Sequence, residues 1–461
     1  MRKISSLLVA NRGEIAVRII RACQELGIKT ILAASEADRE SMPALLADRV
    51  VCIGPPKATE SYLKVGTIVM AAVGTGAEAI HPGYGFLAEK PELPEACSRY
   101  GIIFIGPKPE QIRQMGDKIS ARQMAKKLGI PVIPGSEMVQ NVDEIFPLTE
   151  KIGYPLLLKA AAGGGGKGMK IAKRPEDLKI LFPEAQAEAQ AAFGDGRLYL
   201  EKFIPNARHV EIQIIGDRHG STVHLGERDC SIQRRYQKML EEAPSPVLSP
   251  EVRNRMSEAA IKIGQAIQYE NAGTVEFILD QDSGQFYFLE MNTRIQVEHP
   301  VTEMTTGMDL VKEQIRVAAG LPLSLSQSEV RNFGHAIECR INAESPREGF
   351  RPFPGRITDW RMPNEPGIRV DTHCYPGYLV PPYYDSLLAK VISFGQDREE
   401  AIEGMQSALE KFLVSGLETT IPFHRFIMNN RDFRQGKIHT RWLEETLLEE
   451  YEQHERNYLR R

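Results

Sequence analysis

Glu276 lies in an apolar run, residues 273–279, and a second run, 286–292, returns after the polar stretch 280–285, so the two read as a hairpin. Strand side chains repeat every two residues, which puts Phe286, Phe288, Glu290 and Asn292 on one face. Glu276 then comes opposite or diagonal to Glu290. Facing carboxylates in apolar surroundings need a proton or a cation. Two carboxylates and an amide are hard oxygen ligands, suited to Mg²⁺ or Mn²⁺ bridging phosphate oxygens. Arg294 follows at once and offers a planar fork to a carboxylate-like anion. Glu298, four residues on, could take a proton.

A second constellation lies upstream. Residues 163–166 are four consecutive glycines, between a strand-like run that ends in Lys159 and a short strand, 170–172. Ordering four glycines is entropically costly. It is tolerated where backbone amides fold over an anion with no Cβ in the way. No Gly-Lys-Ser/Thr follows and the next element reads as a strand, which excludes a Walker A loop. The alternatives are a Gly-rich hairpin covering phosphates and a flexible linker. In the strand 209–215, His209, Glu211 and Gln213 share a face, either binding or solvated. The charged run 227–238 carries Arg228, Arg234, Arg235 and Lys238, and reads as a solvated face or a cluster that neutralises phosphate or a small anion.

These groups need a scaffold. The chain has 461 residues, enough for about three domains. Hydrophobic residues make up 42% and charged residues 26%, which excludes a disordered chain, a collagen-like repeat or a coiled-coil rod. A net charge of -4 provides no global basic field, so nucleic acid is not an expected partner. Near the N-terminus, strands at 7–10, 30–34, 49–53, 77–80 and 102–105 alternate with helical segments, the punctuation of a parallel sheet. Ile15, Ile19, Ala22 and Leu26 mark a helix packed on one face. The turn 11–14 has one glycine, too few for a dinucleotide pyrophosphate site. The turn 81–86 ends a strand at the edge where open α/β sheets gather ligands, or is simply a tight turn plugged by Tyr84 and Phe86. Six scattered cysteines without a CxxC read as buried reduced thiols. The first residues run straight into a strand-like segment, without the longer apolar stretch and small-residue cleavage site of a signal peptide, and no apolar run approaches the ~20 residues needed to span a bilayer, so no membrane role and a cytoplasmic location are expected.

Taken in order, several segments resemble the biotin carboxylase family of the ATP-grasp superfamily. They are Asn11-Arg12-Gly13-Glu14-Ile15-Ala16, residues 81–86, Met115-Gly116-Asp117-Lys118, the loop 163–169, Glu276 with Glu290-Met291-Asn292, Arg294-Ile295-Gln296-Val297-Glu298-His299, and Glu338-Cys339-Arg340-Ile341. The resemblance runs from about residue 3 to about 442. It implies an α/β and α+β fold: an N-terminal doubly wound α/β domain (1–116), a central ATP-grasp domain (117–331) with a mobile lid at about 131–204, and a C-terminal α+β domain (332–442). The charged tail, 443–461, reads as a helical, mobile end.

The implied reaction joins ATP and bicarbonate into carboxyphosphate, then moves the carboxyl group to a ureido nitrogen of biotin. The resemblance implies that Lys118, Lys159, Gly165 and Gly166 contact the phosphates of ATP. Glu201, Lys202 and Ile204 would hold adenine, and His209 and Gln233 the ribose side. Tyr236 stands where some members carry histidine, at a nucleotide contact, and Lys167 where arginine is common. Glu276, Glu290 and Asn292 would bind Mg²⁺ or Mn²⁺. Lys238, Arg294, Gln296 and Val297 would hold bicarbonate, with Glu298 as the base. Arg340, near Tyr84, would stabilise the enolate-like oxygen of biotin. Met169-Lys170-Ile171 is only a distant echo of a biotinyl-lysine motif and lies inside the lid. Biotin is therefore expected on a separate biotin carboxyl carrier protein, with carboxyltransferase subunits as further partners and a homodimer as the assembly. Another ATP-grasp ligase, such as a carbamoyl-phosphate synthetase-like enzyme, would share the lid and metal pair. Arg340 beside the Gln296-Val297-Glu298 clamp discriminates against it, and against a non-catalytic nucleotide sensor. The final acceptor, acetyl-CoA, pyruvate or another, is left open.

Overall fold

The computed structural model describes residues 3–136, 138–139, 141, 144–160 and 169–459. Gly165, Gly166 and Lys167 therefore lie outside the described residues. Strands β1 (Ser6–Val9), β2 (Lys29–Ala34), β3 (Arg49–Cys52), β4 (Ala79–His81) and β5 (Ile103–Phe104) form a parallel sheet of order β3-β2-β1-β4-β5. Order reverses about β1, which makes its carboxyl end a switch point, where ligands of open α/β sheets bind. Helix α1 (Gly13–Glu25) begins there. It is buried on more than the one face the periodicity implies. Ile15, Ile19 and Ile20 share a core with Leu7 and Val9, and also with Ile215, Val223 and Ala272 of a second sheet.

That second sheet has eight antiparallel strands and forms the backbone of the molecule. Besides β9 (Ala207–Gly216), β10 (Thr222–Arg234), β11 (Gln237–Ala243), β12 (Asn271–Asp280), β13 (Phe286–Asn292) and β14 (His335–Asn342), it contains β15 (Ile368–Thr372) and β16 (Leu387–Gly395). The order is β13-β12-β9-β10-β11-β14-β16-β15. The strands β6 (Leu156–Ala160), β7 (Lys170–Ala172) and β8 (Leu198–Lys202) form a smaller sheet of order β7-β6-β8. Helix Pro175–Phe193 lies against it, and the two enclose a hydrophobic cluster of their own, including Leu156, Leu158, Leu178 and Leu200.

Four expectations are corrected. Phe286 and Phe288 do not share a face with Glu290 and Asn292. Phe277 pairs with Phe288 but Glu276 with Glu290, so a bulge at Leu289 interrupts the alternation. Both phenylalanines pack in the core with Met291, while Glu290 and Asn292 line a cavity. The charged run 227–238 is not a solvated face but a hairpin of β10 and β11, buried over 227–233, with an exposed turn and with Lys238 lining the cavity. Its two-residue turn, Arg235-Tyr236, has φ of 49° and 64°, the left-handed pair that suits strand twist. The tail is docked at its start: Leu443 and Leu447 are buried, and Tyr451 packs edge-on against Phe423. Of the six cysteines, all unpaired, Cys52 is exposed while the other five are buried.

Candidate active site

The cavity, about 890 Å³, opens between the small sheet, the long sheet and the loops that follow β13 and β14. Every site residue expected from sequence lines it except Gly165 and Gly166, which lie outside the described residues.

Its floor is β9. His209, Glu211 and Gln213 do share a face, and all three are buried rather than solvated. Glu211 pairs with Arg228, directly across on β10, at 2.5 Å, and with Lys238 Nζ at 2.6 Å. Arg228 is fully buried. It also donates to Gln213, Thr274 and Thr302, so its charge is consumed inside the protein and does not reach a ligand. Lys238 Nζ lies 2.6 Å from Glu298, 3.1 Å from Glu276 and 3.3 Å from Gln296 Oε1. Burial works against its ammonium, yet Cys230, Glu211, Glu276 and Glu298 hold its pKa well above the usual lysine value. Burial also pushes Glu276 and Glu298 upward, but the opposing charges win. Lys238 and His209 keep Glu276 well below the carboxylate range, and Lys238, Arg340 and Arg228 do the same for Glu298. Both carboxylates are ionised at neutral pH.

The metal-side residues come together as follows. Glu276 and Glu290 are register partners, and Asn292 Nδ2 donates to Glu276 Oε1 at 2.8 Å. Glu290 holds Lys118 Nζ at 2.8 Å, and His209 Nε2 lies 3.1 Å from Glu276 Oε2. Asn292 Oδ1 accepts from Arg294 at 3.0 Å. Two carboxylates and an amide oxygen on adjoining strands fit a hard divalent cation. His209, Glu211 and Glu276 also place ligand atoms within 4.8 Å of one another, but Lys238 already occupies two of those carboxylates.

Along the other wall, Lys159 Nζ pairs with Glu201 at 2.6 Å, and Arg122 takes the second oxygen of Glu201 at 2.8 Å. Gln233 Nε2 lies 3.0 Å from His209 Nδ1, which ties the two ribose-side candidates together. Lys202, Ile204 and the half-exposed Tyr236 line the far end. Arg294 is held by Glu89 at 2.8 Å, and Val297 by Lys390, whose Nζ donates to the Val297 carbonyl at 2.8 Å. Arg340 reaches Glu298 at 2.8 Å and Glu241 at 2.5 Å. Tyr84 is presented by the turn 81–86. There Asn11 Nδ2 donates to the carbonyls of Pro82 and Tyr84 at 2.6 and 2.7 Å, and Gly83 adopts φ 61°. The Tyr84 hydroxyl donates to Glu14.

Sequence reading gave no role to Glu89, Arg122, Glu241, Lys390 or Glu14. They are isolated charged residues in unrelated segments, and only tertiary pairing exposes them. Glu211 did carry a signal, the polar face of β9, without a partner to give it meaning.

Comparison with known proteins agrees with this geometry. Family models match in three consecutive blocks: "Biotin carboxylase, N-terminal domain" over residues 3–112, "Carbamoyl-phosphate synthase L chain, ATP binding domain" over 117–326, and "Biotin carboxylase C-terminal domain" over 338–445. The chain is 53% identical over 442 residues to biotin carboxylase 1 of Bacillus subtilis, covering 96% of this chain and 98% of that one. It is 54% identical over 444 residues to the biotin carboxylase of a Nostoc species, covering 96% and 99%. Among solved structures, the biotin carboxylase domain dimer of Hydrogenobacter thermophilus 2-oxoglutarate carboxylase, in complex with MgADP, ADP and bicarbonate, superposes with a TM-score of 0.92 at 49% identity, covering 96% and 98%. The middle model is named for a carbamoyl-phosphate enzyme, the alternative weighed from sequence, and the flanking blocks and near full-length relatives decide between them: the chain belongs to the biotin carboxylase family.

Proposed function

We propose that this chain is an ATP-dependent ligase that activates bicarbonate as carboxyphosphate and transfers the carboxyl group to biotin borne on a separate carrier. One observation carries the reading. Lys238, Arg340 and Glu298 converge at one end of the same cavity whose other end holds Lys118, Lys159 and Glu201.

In this reading Lys118 and Lys159 give up their carboxylate partners to the ATP phosphates. Glu201, Lys202 and Ile204 hold adenine, with Tyr236 as a further nucleotide contact, while His209 and Gln233 face the ribose. Glu276, Glu290 and Asn292 would hold Mg²⁺ or Mn²⁺, which neutralises polyphosphate charge when bound. Bicarbonate sits among Lys238, Arg294, Gln296 and Val297. Its arrival draws Lys238 away from Glu298, and a carboxylate relieved of one cation becomes a better base. Glu298 takes the bicarbonate proton, an oxygen attacks the γ-phosphorus, and the bond to ADP breaks. Arg340 then stabilises the oxyanion of the biotin ureido group while its nitrogen gives its proton to the departing phosphate and takes the carboxyl carbon.

The domain division at 116 and 331, with a lid at about 131–204, is supported by the three family blocks and by the separate core under β6 and β8. No helix among the described residues is long and apolar enough to cross a membrane, in keeping with the proposed cytoplasmic location. A carrier protein and carboxyltransferase subunits are the proposed partners, and the proposed assembly is a homodimer, which light scattering would read directly.

The test is ATP hydrolysis by the purified chain with Mg²⁺. Hydrolysis should require bicarbonate and rise on addition of free biotin, with carboxybiotin as product. Equal rates with and without bicarbonate would sink the assignment.

A further inference from the structure

Behind Arg340 lies a pair of acids that the mechanism above does not use. Glu241 and Glu338 are direct partners in the antiparallel pair β11–β14, and both are fully buried. Glu241 Oε1 accepts from Arg340 Nη2 at 2.5 Å and from Nε at 2.7 Å. Its Oε2 and both oxygens of Glu338 meet no hydrogen-bond donor among the described residues. A buried ionised carboxylate without donors is strongly destabilising, and two such groups on one sheet face repel. Register partners on one face of an antiparallel pair have Cβ atoms ~5 Å apart, which lets one proton serve both: a protonated acid there can donate to the other's free oxygen.

We propose that Glu241 and Glu338 form a one-proton carboxyl dyad that positions Arg340, with Glu241 as the anion and Glu338 as the proton-bearing member. The groups that face it are Arg340 from β14, Lys238 from β11, Cys230 from β10, Lys390 from β16, and Glu298 from the loop before helix His299–Thr306, while Cys339 points to the opposite face, into the core with Ile337 and Ile341. Burial, only partly opposed by Arg340, raises Glu241 to about 7, and burial holds Glu338 well above the carboxylate range. Glu298 accepts from the same Arg340 Nη2 at 2.8 Å. A single negative charge behind Arg340 balances that pull. Two would draw the guanidinium back from the cavity, and none would release it onto Glu298. Glu241 and Glu338 are thus positioning residues, coupled to biotin only through Arg340.

The inference rests on the reading that Arg340 meets the biotin oxygen, and the test separates the two. Infrared difference spectra of the parent and Glu338→Gln at neutral pH should show the C=O stretch of a protonated carboxyl, displaced by H/D exchange, in the parent and not in the variant. Carboxybiotin formed per ATP consumed, with free biotin as acceptor, reads the role. Glu338→Gln should keep that ratio within about twofold, because its amide still donates to Glu241. Glu338→Leu should lower it, and Glu241→Gln should lower it about tenfold or more and raise the KM for biotin. Bicarbonate-dependent ATP cleavage, surviving in each variant, shows that the fold is intact. A parent without the carboxyl band, or equal losses in the two Gln variants, overturns the dyad. A parent that shows the band but makes no carboxybiotin keeps the dyad and overturns the assignment of Arg340 to biotin.

Discussion

At the residue scale, the site works by sharing a few cations among more carboxylates than they can satisfy. Lys238 serves Glu211, Glu276 and Glu298, and Arg340 serves Glu241 and Glu298. An anionic substrate that enters such a network competes for the cations, and the freed carboxylate gains basicity. The two ends of this competition are separable. Arg340→Ala should spare bicarbonate-dependent ATP cleavage more than it spares biotin carboxylation, because Arg340 is assigned to the biotin oxyanion. Glu298→Ala should damage both by ~10²–10³-fold, because bicarbonate loses its base. The ratio of carboxybiotin to ATP consumed decides. If Arg340→Ala keeps the parent ratio while both rates fall, Arg340 belongs to the bicarbonate clamp.

At the element scale, the bulge in β13 is what lets one strand serve a core and the proposed metal site. Ahead of Leu289 the alternate residues Phe286 and Phe288 face inward. Beyond it the phase has slipped, so Glu290 and Asn292, at the same parity, face the cavity. Glu290→Gln should therefore raise the Mg²⁺ concentration needed for turnover and cut the rate at least about tenfold. Asp282→Asn, in the exposed turn of the same hairpin, should do neither. A Mg²⁺ dependence unchanged in Glu290→Gln would remove Glu290 from the metal face.

The join between β11 and β14 carries a stability prediction. Glu242 is buried and bonded to His335 at 2.8 Å and Arg398 at 2.6 Å. Burial alone would raise its pKa, but His335 and Arg398 pull it down to about 2. A carboxylate with a depressed folded-state pKa stabilises the fold above its unfolded value and loses that contribution as pH falls. The drop from 4.5 to about 2 corresponds to about 3 kcal/mol, present above pH 4.5 and gone near pH 2. Arg398→Ala should shift the acid-unfolding midpoint to higher pH, as followed by circular dichroism. An unchanged midpoint would mean the pair does not hold this join.

On the scale of the whole molecule, cores are shared unevenly. The N-terminal sheet and the long sheet are fused through α1, whose side chains belong to both. The small sheet keeps a core to itself. Segments with few contacts to the rest open independently. Hydrogen exchange should be faster at amides of β6 and β8 than at those of β9 and β12, and ATP with Mg²⁺ should slow it selectively there. Uniform exchange, indifferent to nucleotide, would contradict a closing lid.

Much of this was readable from the chain alone. The order of strands at the N-terminus, the hairpin that carries Glu276 and Glu290, and the spacing of Arg294, Gln296 and Glu298 are local patterns, and local patterns survive in sequence because periodicity and turn chemistry act over a few residues. The β10–β11 hairpin escaped notice because its turn is Arg235-Tyr236, with no Gly or Asn to mark the positive φ. The slip at Leu289 escaped because a bulge leaves no compositional trace. The partners of the cations that line the cavity escaped for a deeper reason. Glu89 lies 205 residues from Arg294 and Glu241 lies 99 from Arg340. A charge run on paper looks solvated, and only the stacking of strands from distant segments buries Arg228 and leaves Lys238 and Arg340 little exposed at the cavity wall. Residue types and spacing determined which chemistry was available. The tertiary structure decided which charges face each other in a dry interior, where a proton or a cation must be shared.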